Sequence, residues 1–139
     1  MHKLIIFILL LNINFFALKA DIVKDIQING NQRVSDETVK IYGEIKMNED
    51  YKDSDLNKIL NSLYGTNFFE NVSINLINGV LKVDLIEYPI VNELLITGEP
   101  SKKYREEIKK IISSKKKDSF IKNNLSNDVS LIKRLYSSV

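Results

Sequence analysis

Midway along the chain the apolar residues change from the period of a helix to that of a strand. Leu56, Ile59, Leu60, Leu63 and Tyr64 recur at three- and four-residue spacing, which stacks them on one side of an α-helix. Gly65 follows, and its missing Cβ predicts a left-handed C-cap that stops the helix ahead of Phe68 and Phe69. Val72, Ile74 and Leu76 then alternate with Ser73 and Asn75, the pattern of a strand buried on one face. Asn78-Gly79 is the preferred dipeptide of a two-residue type I′ hairpin turn. A turn there places Leu76 opposite Leu81, Ile74 opposite Val83 and Val72 opposite Leu85. These pairs are all apolar, whereas Asn75 with Lys82 and Ser73 with Asp84, on the other face, suit water.

Earlier in the chain, Ile22, Ile26 and Ile28 alternate with Val23, Asp25, Gln27 and Asn29, with Lys24 interrupting the apolar side. This predicts a strand ending at a Gly30-Asn31 turn. Ser35 is a good N-cap, Asp36 and Glu37 suit the first turn of a helix, and Val39, Ile41, Tyr42 and Ile45 form its apolar stripe, interrupted near Gly43. Asn48 to Asp53 reads as a loop, with Asp53 or Ser54 capping the second helix. The order is strand, helix, helix, strand, strand, so the class is α+β, with helix packed on sheet. If the more apolar strand Leu81 to Ile86 lies centrally, the preceding strand borders the sheet.

The pattern then restarts. Ile90, Leu94, Ile96 and Gly98 stand 68 positions after Ile22, Ile26, Ile28 and Gly30. Tyr104, Ile108, Ile111 and Ile112 supply a helical stripe, and Ser126, Leu131, Ile132, Leu135 and Tyr136 stand 72 positions after Ser54, Ile59, Leu60, Leu63 and Tyr64. The difference predicts a four-residue insertion about Lys115-Lys116-Lys117. We expect a tandem repeat, residues 21–88 and 89–139, whose second copy is incomplete because Val139 stands where its hairpin should begin. We expect a fragment of a longer chain, rather than an end that does not fold independently.

Residues 1–20 have their own character. Met1-His2-Lys3 is a basic start, Leu4 to Leu18 is almost wholly apolar, and Ala20 offers a small residue before a cut at Asp21, which reads as a secretory signal peptide. The competing reading, an uncleaved anchor, needs roughly 20 apolar residues, and this run is shorter and carries Asn12 and Asn14. Cleavage removes Lys3, Lys19 and His2, the one histidine, and leaves as many basic as acidic residues, 18 of the latter. The slight excess of positive charge therefore belongs to the leader, and nothing remains that calls for nucleic acid. The lysine run reads as a solvated loop.

With no cysteine and, after cleavage, no histidine, thiol nucleophiles, imidazole relays and nitrogen or sulfur metal sites are excluded. Asp36-Glu37, Glu49-Asp50 and Glu106-Glu107 are adjacent carboxylates, which diverge on a helix and read as solvated or helix-start residues rather than an acid–base pair. The glycines stand singly at turns, so there is no phosphate loop. We expect no enzyme, no cofactor and no metal site. Of Phe68 and Phe69, at least one should plug the core of so small a unit.

The run Ile28-Asn29-Gly30-Asn31-Gln32-Arg33-Val34, then Leu63-Tyr64-Gly65-Thr66-Asn67-Phe68-Phe69-Glu70-Asn71-Val72, then Asn78-Gly79 and Glu87-Tyr88-Pro89-Ile90-Val91 resembles the POTRA repeats of Gram-negative outer-membrane assembly factors. Where that family usually carries glycine, after the first helix and in the helix-to-strand turn, this chain has Lys46-Met47-Asn48 and Thr66-Asn67-Phe68. Asparagine tolerates the left-handed conformation almost as glycine does. The resemblance implies tandem POTRA repeats, each with two helices on a three-stranded mixed sheet, on the periplasmic side of the outer membrane and a C-terminal transmembrane barrel. It also implies unfolded outer-membrane β-barrel proteins as clients, with a periplasmic chaperone and accessory lipoproteins as partners. POTRA units also occur in two-partner secretion transporters and, singly, in division proteins of the FtsQ type; the repeat and the cleavable leader argue against the latter.

The strand Asn71, Val72, Ser73, Ile74, Asn75, Leu76 and Ile77 is the candidate peptide-binding element. As a sheet edge it either offers unpaired backbone groups to an extended guest or is protected by neighbours. It lacks a guarding lysine. On this reading proline at Ser73 or Asn75 should spoil peptide capture without unfolding the unit.

Overall fold

The computed structural model describes residues 22–137, so the leader and Asp21 lie outside the described residues. Strand β1 (Asp25–Asn29) is followed by helices α1 (Asp36–Gly43) and α2 (Asp53–Gly65), then strands β2 (Phe69–Ile77) and β3 (Val80–Glu87). Helices α3 (Lys102–Ile111) and α4 (Lys122–Ser137) complete the described chain. The sheet order is β1-β3-β2, with β1 parallel and β2 antiparallel to β3. This is the α+β arrangement expected, with the more apolar strand in the middle.

The hairpin has the register its alternation implies: Leu76 faces Leu81, Ile74 faces Val83 and Val72 faces Leu85. Asn78 and Gly79 take φ values of 53° and 81°, the positive pair a type I′ turn requires. At the far end a bulge at Phe69 to Asn71 shifts the pairing, so that Phe69 meets Glu87. One face of the sheet carries Leu81, Val83, Leu85 and Val72 into a core with Ile59, Leu63, Val39 and Ile45, and the fully buried Phe69 is its largest member. Phe68 lies partly buried, edge-on to Phe69 and to Tyr42. The face away from the helices is polar along its middle, where Asn29 Nδ2 donates to Asp84 Oδ1 over 3.1 Å and Lys82 pairs with Asp84 at 3.0 Å.

Ser35 caps α1 through an N–H donated by Thr38 to its Oγ. Four local expectations are corrected in this unit. Helix α2 starts one residue earlier than its expected caps allow, with Lys52 at the N-cap and its N–H donated to Asp55 Oδ2. Gly65 is the last helical residue and has no positive φ; the left-handed residue is Asn67, at φ 58°. Val23, not Ile22, enters the core: its N–H donates to Glu49 O and its carbonyl accepts from Asn48, which turns the lead-in before the strand alternation begins at Asp25. Ile41 is exposed, because α1 has only eight residues and presents Val39 and Gly43 to α2 instead.

In the second unit the same lead-in recurs. Val91 N–H donates to Asp118 O, Lys117 N–H donates to Val91 O, and Ile90 bridges Ser119, as Val23, Glu49, Asn48 and the Ile22–Asp50 bridge do earlier. Asn48 and Lys117 share positive φ, 61° and 73°, and Gly30 and Gly98 share 84° and 81°. These bonds align Asn48 with Lys117 and Asp50 with Ser119, a spacing of 69, so the expected four-residue insertion at the lysine run is corrected to one residue. Ser126 accordingly lies within α4 rather than at its start. Leu94 to Ile96 form no strand among the described residues; together with α3 and α4 they line a groove of about 470 Å³ walled by Ile108, Ile112, Leu125, Val129 and Ile132.

Candidate peptide-binding edge

Strand β2 pairs with β3 on one flank, and among the described residues its other flank faces no strand. Which backbone groups face outward follows from the turn. In a two-residue hairpin the residues flanking the loop, Ile77 and Val80, exchange both hydrogen bonds, and bonded pairs then alternate with non-bonded ones. Asn75 with Lys82 and Ser73 with Asp84 are therefore bonded pairs, and the outward N–H and C=O groups of β2 belong to Val72, Ile74 and Leu76. The proline expectation is corrected on this ground. Proline at Ser73 or Asn75 would delete a bond inside the sheet, whereas the edge is read at Ile74 and Leu76.

The outward groups are not equivalent. Val72 N–H donates to the Tyr64 hydroxyl over 3.1 Å, which places that N–H on the open flank independently of the turn argument. The same hydroxyl lies 3.1 Å from Asn71 Oδ1 and 3.5 Å from Val72 O. Tyr64 reaches the edge because it ends the apolar stripe of α2, where Leu63 is fully buried and Tyr64 itself is half-exposed. Its reach across to the strand is a tertiary feature that the spacing of α2 does not announce.

Side chains along β2 follow the alternation. Asn71, Ser73, Asn75 and Ile77 are exposed on the polar face of the sheet, Val72 is buried, and Ile74 and Leu76 pack partly into the core. Glu70, beside the bulge, is the strand's one charged residue, so no lysine guards the edge. At the other border, β1 is shorter, and the lead-in to it is already bonded to the loop at Asn48 and Glu49.

Glu87 closes the end of the sheet, and sequence reasoning missed it. Its Oε1 accepts the N–H groups of Gln32, Arg33 and Val34 at 2.9, 3.0 and 2.9 Å, and Arg33 Nε stands 3.5 Å from Oε2. Burial pushes the carboxyl up, but the three N–H donors and the Arg33 charge outweigh it and hold Glu87 below the usual glutamate range.

No family model matches the chain. It is 32% identical over 117 residues to the outer membrane protein assembly factor BamA of Neorickettsia risticii, a match covering 84% of this chain and 16% of that protein. It is 35% identical over 91 residues to BamA of Neisseria meningitidis serogroup B, covering 66% of this chain and 11% of the relative. Among solved structures it resembles the N-terminal domain of Omp85 from Thermosynechococcus elongatus, with a TM-score of 0.56 at 13% identity over 84% of this chain and 51% of that one. POTRA1-2 of the periplasmic domain of Omp85 from Anabaena gives 0.53 at 16% identity, over 84% of this chain and 78% of that one.

This is a POTRA region of the BamA kind. The structural likenesses carry the POTRA fold, and the curated relatives carry the outer-membrane assembly theme, though the chain spans less than a fifth of their length. No helix among the described residues is long and apolar enough to cross a membrane. In the POTRA frame the asparagines at positions 48 and 67 do the work of glycine, both with positive φ.

Proposed function

We propose that this POTRA region stands on the periplasmic side of the outer membrane, receives unfolded β-barrel proteins there and supports their folding and insertion by lending them the edge of β2. The observation that carries this reading is the open flank of β2, with outward backbone groups at Ile74 and Leu76 and no charge between Asn71 and Ile77. Main-chain pairing is tolerant of sequence, which suits a factor serving many clients whose shared feature is alternating strands. Each site is weak, and several strung along one protein hold a client through effective concentration. A periplasmic chaperone and accessory lipoproteins are the further partners implied. No covalent step is part of the proposal.

The chain has no cysteine, so a single one can be placed without background. Asn75 would face a guest residue in a non-bonded pair, where Cβ atoms approach most closely. The test uses Asn75→Cys, a Gln27→Cys control on β1, and a short synthetic peptide of alternating valine and threonine with lysines at its ends and one central cysteine. Mixed disulfide should form selectively at position 75 and be competed by an unfolded outer-membrane barrel protein. Equal trapping at both positions, or no competition, would overturn the proposal.

A further inference from the structure

We infer that Tyr64 gates the β2 edge, setting how far along the strand a guest can pair; this rests on the reading of β2 as a peptide-binding edge. The Tyr64 hydroxyl accepts the Val72 N–H at 3.1 Å and stands 3.5 Å from the Val72 carbonyl, so it takes up the N–H and crowds the carbonyl that an added strand would use at that level. It is also anchored by Asn71 Oδ1 at 3.1 Å. A hydroxyl has one proton to donate and lone pairs to accept with, and here both functions are engaged at the edge. The next outward groups, at Ile74 and Leu76, have no such cover from α2.

Outward groups recur every second residue, so an antiparallel guest bonds at Leu76, then at Ile74, and would next bond at Val72. There it meets the tyrosine. A guest running from the turn end of β2 toward the bulge therefore stops at Ile74 or must displace a hydroxyl that already accepts from Val72 N–H and donates to Asn71 Oδ1. Tyr64 is a specificity-determining residue: it limits both the length and the register of the paired segment. It also shields the part of the edge nearest the bulge at Phe69 to Asn71 from unselective strand addition.

Tyr64→Phe keeps the ring, removes the hydroxyl and bares Val72. Two synthetic peptides of alternating valine and threonine with terminal lysines are used as probes, one long enough to reach only Ile74 and Leu76, the other extended to Val72. Affinities are measured by titration, and amide exchange of Val72, Ile74 and Leu76 by NMR on the same samples. The longer peptide should bind Tyr64→Phe roughly three- to tenfold more tightly than it binds the unaltered protein, as expected for about one added hydrogen bond. The shorter peptide should bind both alike. In the free variant the Val72 amide should exchange faster, and the longer peptide should restore its protection. Asn71→Ala, which loosens the hydroxyl without touching the ring, should shift the longer peptide in the same direction by less.

If both peptides protect Ile74 and Leu76 but the longer gains nothing in Tyr64→Phe or Asn71→Ala, the gate is refuted and the edge reading stands. An equal gain for both peptides likewise refutes the gate. If neither peptide protects Ile74 or Leu76 in any of the proteins, the edge reading falls and the gate with it.

Discussion

Glu87→Gln tests whether a single carboxylate fastens the loop between β1 and α1 to the end of the sheet. Glu87 gathers the N–H groups of three successive residues, Gln32, Arg33 and Val34, with its side chain only 11% exposed. Hydrogen bonds to a charged acceptor contribute about 1.5–3 kcal/mol each at most, and glutamine retains one oxygen to accept while losing the charge, so a net loss of about 2 kcal/mol is expected. In a small domain that lowers the melting temperature by on the order of 10 °C. The charge also predicts a pH dependence. The folded carboxyl titrates below its ordinary 4.5, so its contribution is fully present above that value and disappears as pH falls through the lower folded one. Urea denaturation followed by circular dichroism, for both proteins from neutral to acid pH, should show a constant difference at neutral pH that shrinks in the acid range. A difference that ignores pH, or none at neutral pH, would show that the loop is held by packing of Val34 and not by the carboxylate.

Two glycines should behave in opposite ways. Gly30 has φ +84° and an ideal Cβ there would stand 2.0 Å from Leu85 O in the neighbouring strand, so Gly30→Ala should cost about 3 kcal/mol or more in thermal melts. Gly65 ends α2 without positive φ and its Cβ would meet nothing within 4 Å, so Gly65→Ala should be neutral or stabilise by up to about 1 kcal/mol. Asp128→Ala removes the acceptor shared by Ser113 and Ser114 and should raise hydrogen exchange in α4 by roughly ten- to a hundredfold, as a loss of about 1.4–2.8 kcal/mol would.

The hairpin was legible in the sequence because two independent signals, strict alternation and an Asn-Gly turn, demand one register, and a slip by one residue would expose every apolar side chain. The lead-in was not. Ile22 and Ile26 fit one alternation, but residues 22–24 are bonded to the loop after α1 and to Gly79 O, and that long-range pairing turns Val23 inward. The open flank of β2 was legible from the relative apolarity of the two hairpin strands, while the Tyr64 cover was not, since a hydroxyl's reach across to a strand leaves no periodic trace. Glu87 escaped for a similar reason: its partners are backbone N–H groups more than fifty positions away. The missed spacing in the second unit has a different origin, because apolar residues on a long helix satisfy several alignments and only backbone bonds choose between them.

Those bonds put Asp128 where the first unit has Ile59. Ile59 packs between the helices, its Cγ2 only 3.2 Å from where a Gly43 Cβ would stand, so the seam between α1 and α2 is closed by apolar contact and by the absence of a side chain at Gly43. In the second unit the corresponding carboxylate is 3% exposed and accepts the N–H and hydroxyl groups of Ser113 and Ser114, just past the end of α3. Burial opposes its ionisation, and those four donors outweigh burial and keep the carboxyl below the ordinary range. The two units thus fasten their helix pairs by different physics. An apolar seam tolerates small slips along the helix axis, whereas a carboxylate with every donor assigned fixes one position of α4 against the end of α3.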